Sequence, residues 1–123
     1  MFAPYALAEA PQGAVRVWDE ATITELVYEV AEEKGLTKAK AREMVETIRC
    51  ESEFDPGVQS RHIRKDGTRE KSYGLSQIHI PSWPEVKIEQ AKDPIFAVTF
   101  MAKRFKEGKE DRWTCHRKLY GSK

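Results

Sequence analysis

Apolar residues recur at helical spacing on both sides of a segment, Val58 to Tyr73, in which that spacing is lost. A repeat of about 3.6 residues builds a helix with one apolar face. A polar run centred on Asp-Gly favours a tight turn between short strands instead. Because His62-Ile63-Arg64-Lys65-Asp66-Gly67-Thr68-Arg69-Glu70 centres on Asp66-Gly67 and is too polar to bury either face, it predicts a small two-stranded ribbon. The expected fold is therefore mainly α (α+β), with a hairpin set among helices.

The first predicted helix runs from about Glu20 to Lys34, with Asp19 as N-cap and Gly35 as its stop. Ile23, Leu26, Val27, Val30 and Ala31 share one face, which implies core. Thr37 caps a second helix, on which Ala41, Met44, Val45, Ile48 and Ser52 form an apolar or small face before Asp55-Pro56-Gly57 ends it. Asp93-Pro94 pairs an N-cap with proline at the first helical position. Ile95, Val98, Met101, Ala102 and Phe105 then keep helical spacing, Phe96 and Phe100 widen the stripe, and Gly108 closes it. Gly74-Leu75-Ser76-Gln77-Ile78 reads as a short helix, Pro81, Trp83 and Pro84 as a linker, and about Asp111 to Tyr120 as a last helix.

With 123 residues the chain is long enough for one domain with a real core, expected over 18–123 and as a monomer. A formal net charge of +1 gives no global argument for nucleic acid, and no stretch is apolar and long enough to span a bilayer. Arg61, His62, Arg64, Lys65, Arg69 and Lys71 crowd one segment, as a solvated hairpin or a surface attractive to an acidic polymer. Residues 1–17 carry few structural instructions and form an N-terminal extension. Phe2 to Ala8 resembles the apolar tail and small-x-small end of a signal peptide, either a clipped export signal or a segment foreign to the domain.

Cys50 and Cys115 are two free thiols or one disulfide, and spacing alone leaves both open. Joined, they would close a long loop worth about 4 kcal/mol and would imply an oxidising compartment. They would also bring Glu51 close to Trp113, His116 or Tyr120. Zinc is not expected, since Cys50, Cys115 and His116, with His62 or His79, lack the close ligand pairs of a zinc site. No Ser-His-Asp order or phosphate-cradling glycine loop is evident, and no cofactor is implied. Trp18, Trp83 and Trp113 read more readily as core than as sugar platforms.

Glu51 closes the second helix three residues beyond Ile48, on the flank of its apolar face. Burial there raises the pKa of a carboxyl, as a general acid working near neutral pH requires. A salt-bridged helix-end glutamate is the plainer reading of that helix by itself.

Glu51-Ser52-Glu53-Phe54-Asp55-Pro56, followed at loop distance by Tyr73-Gly74-Leu75-Ser76-Gln77-Ile78, resembles the paired signature of the lysozyme-like superfamily, closest to its soluble lytic transglycosylase domain. The likeness covers about Glu25 to Tyr120. It implies a helical domain with a hairpin beside a cleft, and cleavage of the β-1,4 bond between N-acetylmuramic acid and N-acetylglucosamine in peptidoglycan by an exported enzyme, periplasmic, wall-associated or extracellular. It implies Glu51 as the catalytic acid, and Ser52, Ser72, Tyr73, Gly74, Gln77 and Tyr120 as substrate-binding residues, with Ser52 orienting the acid or polarising the substrate.

The chain departs from the family pattern at three places. Ser72 stands where animal-type lysozymes carry an aspartate, Ser76 where transglycosylases usually carry methionine, and Leu119-Tyr120-Gly121 only echoes a tyrosine motif. A missing second carboxylate fits the transglycosylases, in which one glutamate acts as acid and then as base. Glu70, two residues before Ser72, is a candidate displaced carboxylate for a hydrolytic lysozyme. The rival from another class is a noncatalytic glycan-binding module of a cell-envelope assembly.

Overall fold

A computed structural model describes residues 17–121. The possible signal remnant lies outside the described residues. Helix α1 is Glu20–Glu33, α2 Lys38–Ser52, α3 Ile88–Ala91, α4 Pro94–Lys106 and α5 Thr114–Tyr120, with short antiparallel strands β1 (Ser72–Tyr73) and β2 (Ile78–His79) between α2 and α3. Mainly helical with a small hairpin is therefore the observed class.

The local signals act as expected. Asp19 Oδ1 accepts from Thr22 N–H (2.9 Å) while Thr22 Oγ1 accepts from Asp19 N–H (2.9 Å), so the first orphan amides of α1 are met reciprocally. Gly35, at φ 77°, lets Leu36 N–H return to Ala31 O (2.8 Å) and closes the helix. Thr37 caps α2 through Lys40 N–H, and Asp93 caps α4 through Ile95 N–H.

Helices α1, α2 and α4 pack together, and α5 lies against α2. Their predicted faces make the main core, in which Ile23, Leu26, Val27, Val30, Met44, Ile48, Val98 and Met101 are wholly buried. Thr47 is buried as well, its hydroxyl donating to Glu43 O (2.7 Å), although it lies off the apolar face read from the sequence. A smaller core of Ile78, Val86 and Ala91 lies beneath the β turn.

The Val58–Tyr73 segment is antiparallel, with isolated bridges Gln59↔Tyr73 and Ile63↔Arg69 in place of continuous strands. Its tip is a three-residue loop, Lys65 to Gly67, flanked by Arg64 N–H to Thr68 O (2.7 Å). Asp66 Oδ1 accepts from both Thr68 N–H and Thr68 Oγ1.

Two expectations are corrected. Gly74 to Ile78 is no helix but the turn joining β1 to β2, because Gly74 (φ 83°) and Gln77 (φ 50°) occupy the left-handed region. The segment read as linker contains a 3-10 turn at Ile80–Ser82 and the short helix α3. Helix α3 is what Gly74 makes room for, since a Cβ on Gly74 would stand 1.8 Å from Ala91 O.

Candidate active-site cleft

An open cleft of about 730 Å³ runs between the last turn of α2, the β region and the wall built by α4 and the entry to α5. Glu51 lines it, half-buried, with Ser52, Ser72 and Gln77. The disulfide Cys50–Cys115 ties α2 to α5 with a Cα–Cα distance of 5.9 Å. Both thiols are therefore committed to each other, not to a metal.

Oε2 of Glu51 accepts the Cys115 backbone N–H (3.1 Å). Burial pushes the Glu51 carboxyl above the ordinary glutamate range; the Cys115 N–H draws it partly back, the charge of Glu70 raises it again, and Lys118 and Arg117 oppose that rise. Glu70 lines the same cleft, its Oε1 accepting from Ser60 Oγ (2.9 Å).

The turn after β1 is the hub of the site. Ser52 Oγ is directed at Ile48 O (3.0 Å) and Leu75 O (2.8 Å), Ser76 Oγ donates to Ala97 O (3.0 Å), and Trp113 Nε1–H donates to Ser76 O (2.7 Å). Gln77 Nε2 donates to Gly74 O (2.9 Å) and Val58 O (3.2 Å). One turn is thus held at once by the helix carrying Glu51, by α4 and by the tryptophan wall. The single Ser52 proton is directed at backbone carbonyls, so Ser52 ties the end of α2 to the turn after β1.

Other expected site residues lie elsewhere. Tyr73 packs against the smaller core with Lys92 Nζ 5.7 Å from its ring centroid, and Gly74 is buried against α3, so both shape the turn from behind the cleft. Of the three neighbours anticipated for Glu51, only Trp113 shares the cleft. His116 is buried with Nε2 2.9 Å from Glu43 Oε1, and Tyr120 is directed at His116 (4.8 Å between ring centroids), outside the cleft lining. Helix α5 turns these side chains toward the middle of α2, one turn and more before Glu51.

Glu43, Glu110 and His116 bring potential ligand atoms within 4.8 Å of one another. Lys40 Nζ stands 3.2 Å from Glu43 and 2.7 Å from Glu110, so an ammonium group already supplies the positive charge between these carboxylates.

The sequence reading missed the aromatic and cationic wall. Trp83 and Phe100 meet edge to face at 5.0 Å, Phe100 meets Trp113 at 6.5 Å, and the Arg104 guanidinium lies over both Trp83 (4.8 Å) and Phe100 (4.7 Å). The i, i+4 spacing of Phe100 and Arg104 on α4 was the available signal. No protein-family model, curated protein or solved structure matches this chain.

Proposed function

We propose that this protein is an exported peptidoglycan lytic transglycosylase that cuts the β-1,4 bond between N-acetylmuramic acid and N-acetylglucosamine, with Glu51 as acid and then base. The observation that carries the reading is a half-buried carboxyl in an open cleft, its pKa raised by burial and one oxygen fixed by the Cys115 N–H. A carboxyl serving only a helix-end ion pair would have a cationic partner within reach, and Glu51 has no such pair among the described residues. The disulfide supports export, because such bonds persist in oxidising compartments. No helix among the described residues is long and apolar enough to cross a membrane.

In this reading protonated Glu51 gives its proton to the glycosidic oxygen as the bond to the muramyl C1 breaks. The substrate's N-acetyl group stabilises the cation-like centre. The Glu51 carboxylate then takes the proton of the muramyl C6 hydroxyl while O6 bonds to C1, which closes a 1,6-anhydro ring and regenerates the acid. Tryptophan and phenylalanine faces along the wall suit the apolar faces of sugar rings. Glu70 supports a second reading, a hydrolytic lysozyme, because it brings another carboxylate to the same cleft.

The test is incubation of purified peptidoglycan with the protein and with Glu51→Gln. Soluble glycan fragments released by the first and not the second are expected. Tight binding of glycan by both proteins with no release would replace the enzyme by a binding module.

A further inference from the structure

Four arginines line the cleft, and they are not equivalent. Arg49 is met by Glu20 (3.0 Å) and Glu46 (3.2 Å), and Arg61 by Glu53 (3.5 Å). Arg104 gives only its Nε to Glu107 Oε1 (3.2 Å), its Nη1 is buried without an acceptor, and its side chain is 17% exposed. Arg112 is exposed beside Trp113 with no carboxylate partner among the described residues.

The rings of Trp83 and Phe100 and the Glu107 carboxylate hold the Arg104 guanidinium in one orientation before any ligand arrives. A guanidinium so fixed loses little freedom on binding, and a charged N–H donor of this kind suits a carboxylate oxygen. Nη2, unlike Nη1, is not shut off from solvent and has no acceptor among the described residues, so it is the donor left for a ligand in the cleft. Glu107 is shared with Lys109 Nζ at 3.9 Å, so it does not neutralise Arg104 alone.

We propose that Arg104, with Arg112 in the same cleft lining, forms a carboxylate-binding subsite in the cleft wall. It recognises the acidic appendage of the muramyl unit, either the lactyl carboxylate or a carboxylate of the attached peptide. This rests on the peptidoglycan reading of the same cleft, and it goes further by making the site selective for acidic glycan over neutral N-acetylglucosamine polymers.

The test uses Glu51→Gln protein, which binds without cutting, and four glycans: uncrosslinked strands carrying peptides, the same strands stripped of peptides by an amidase, strands whose carboxylates have been converted to neutral amides, and a neutral N-acetylglucosamine oligomer. Neutralising the carboxylates is expected to weaken binding about tenfold and to remove its dependence on salt. Adding Arg104→Gln should weaken binding of native strands to the same degree and leave neutralised strands unaffected. Stripped strands that bind like native ones assign the lactyl carboxylate, and stripped strands that bind like neutralised ones assign the peptide. Equal affinity of the Arg104-intact protein for native and neutralised strands overturns the subsite, whether or not Arg104→Gln folds. If wild type still releases fragments in that event, the subsite alone has failed; absence of both binding and release overturns the cleft's assignment as well.

Discussion

The backbone N–H of Cys115 lies 3.1 Å from Glu51 Oε2, so the residue that closes the disulfide from α5 also holds the Glu51 carboxyl at the end of α2. Cys50, the exposed partner, lines the cleft and is open to a dithiol reductant. Reduction, or Cys50→Ser with Cys115→Ser, should cost about 4 kcal/mol of stability. It should also lower activity on the order of tenfold, because a displaced Cys115 N–H no longer orients the carboxyl. Denaturant melts and initial rates before and after reduction check both, and an unchanged rate in fully reduced protein would contradict the linkage.

The raised pKa of Glu51 sets the sign of two pH effects. A folded-state pKa above the unfolded one means that the bound proton contributes stability below the ordinary glutamate range, and that this is lost as pH rises through the raised value. Glu51→Gln should therefore be more stable than wild type near neutral pH, with the advantage shrinking on acidification. Thermal melts from about pH 4 to about pH 8 read this directly. Activity should peak at mildly acidic pH and fall as Glu51 ionises; a rate that keeps rising into alkaline pH would remove Glu51 as the acid.

Two glycines with nearly the same positive φ should respond differently. Gly74→Ala forces a Cβ to within 1.8 Å of Ala91 O, and should cost more than about 3 kcal/mol or prevent folding. Gly67→Ala, at φ 87° with no atom beyond its chain neighbours within 4 Å of the new Cβ, should cost only about 1–2 kcal/mol. Similar losses in urea melts would mean that the turn does not need its close approach to α3.

Ser52→Ala leaves Leu75 O without its donor, and Trp113→Phe does the same to Ser76 O. Each should cost about 1–3 kcal/mol. Because both bonds hold one turn, their effects should be non-additive in a double-mutant cycle. Additive losses would show that α2 and Trp113 are anchored independently.

Much of this architecture was legible in the sequence because it depends on neighbours along the chain. The buried faces of α1 and α2, the caps Asp19 and Thr37, and the Asp93-Pro94 start of α4 are local signals that packing did not override. Leu75 and Ile78, three residues apart, imitate a helical turn; what decides otherwise is the meeting of Gly74 with Ala91, a contact that no local pattern encodes. Glu51, Ser52, Ser72 and Gln77 do share the cleft, whereas Tyr120 is carried by α5 toward His116 and Tyr73 faces the smaller core. Arg104 escaped notice because its setting is made by Trp83 from a separate segment, and buried Glu110 because its partner Lys40 is far along the chain.

Mass spectrometry of the glycan ends released from purified peptidoglycan tests the central proposal most directly. Fragments ending in 1,6-anhydromuramic acid, produced by wild type and absent with Glu51→Gln, are the predicted result. Reducing ends in their place would assign hydrolysis and direct attention to Glu70, and glycan left intact by the wild-type protein would contradict catalysis by this cleft.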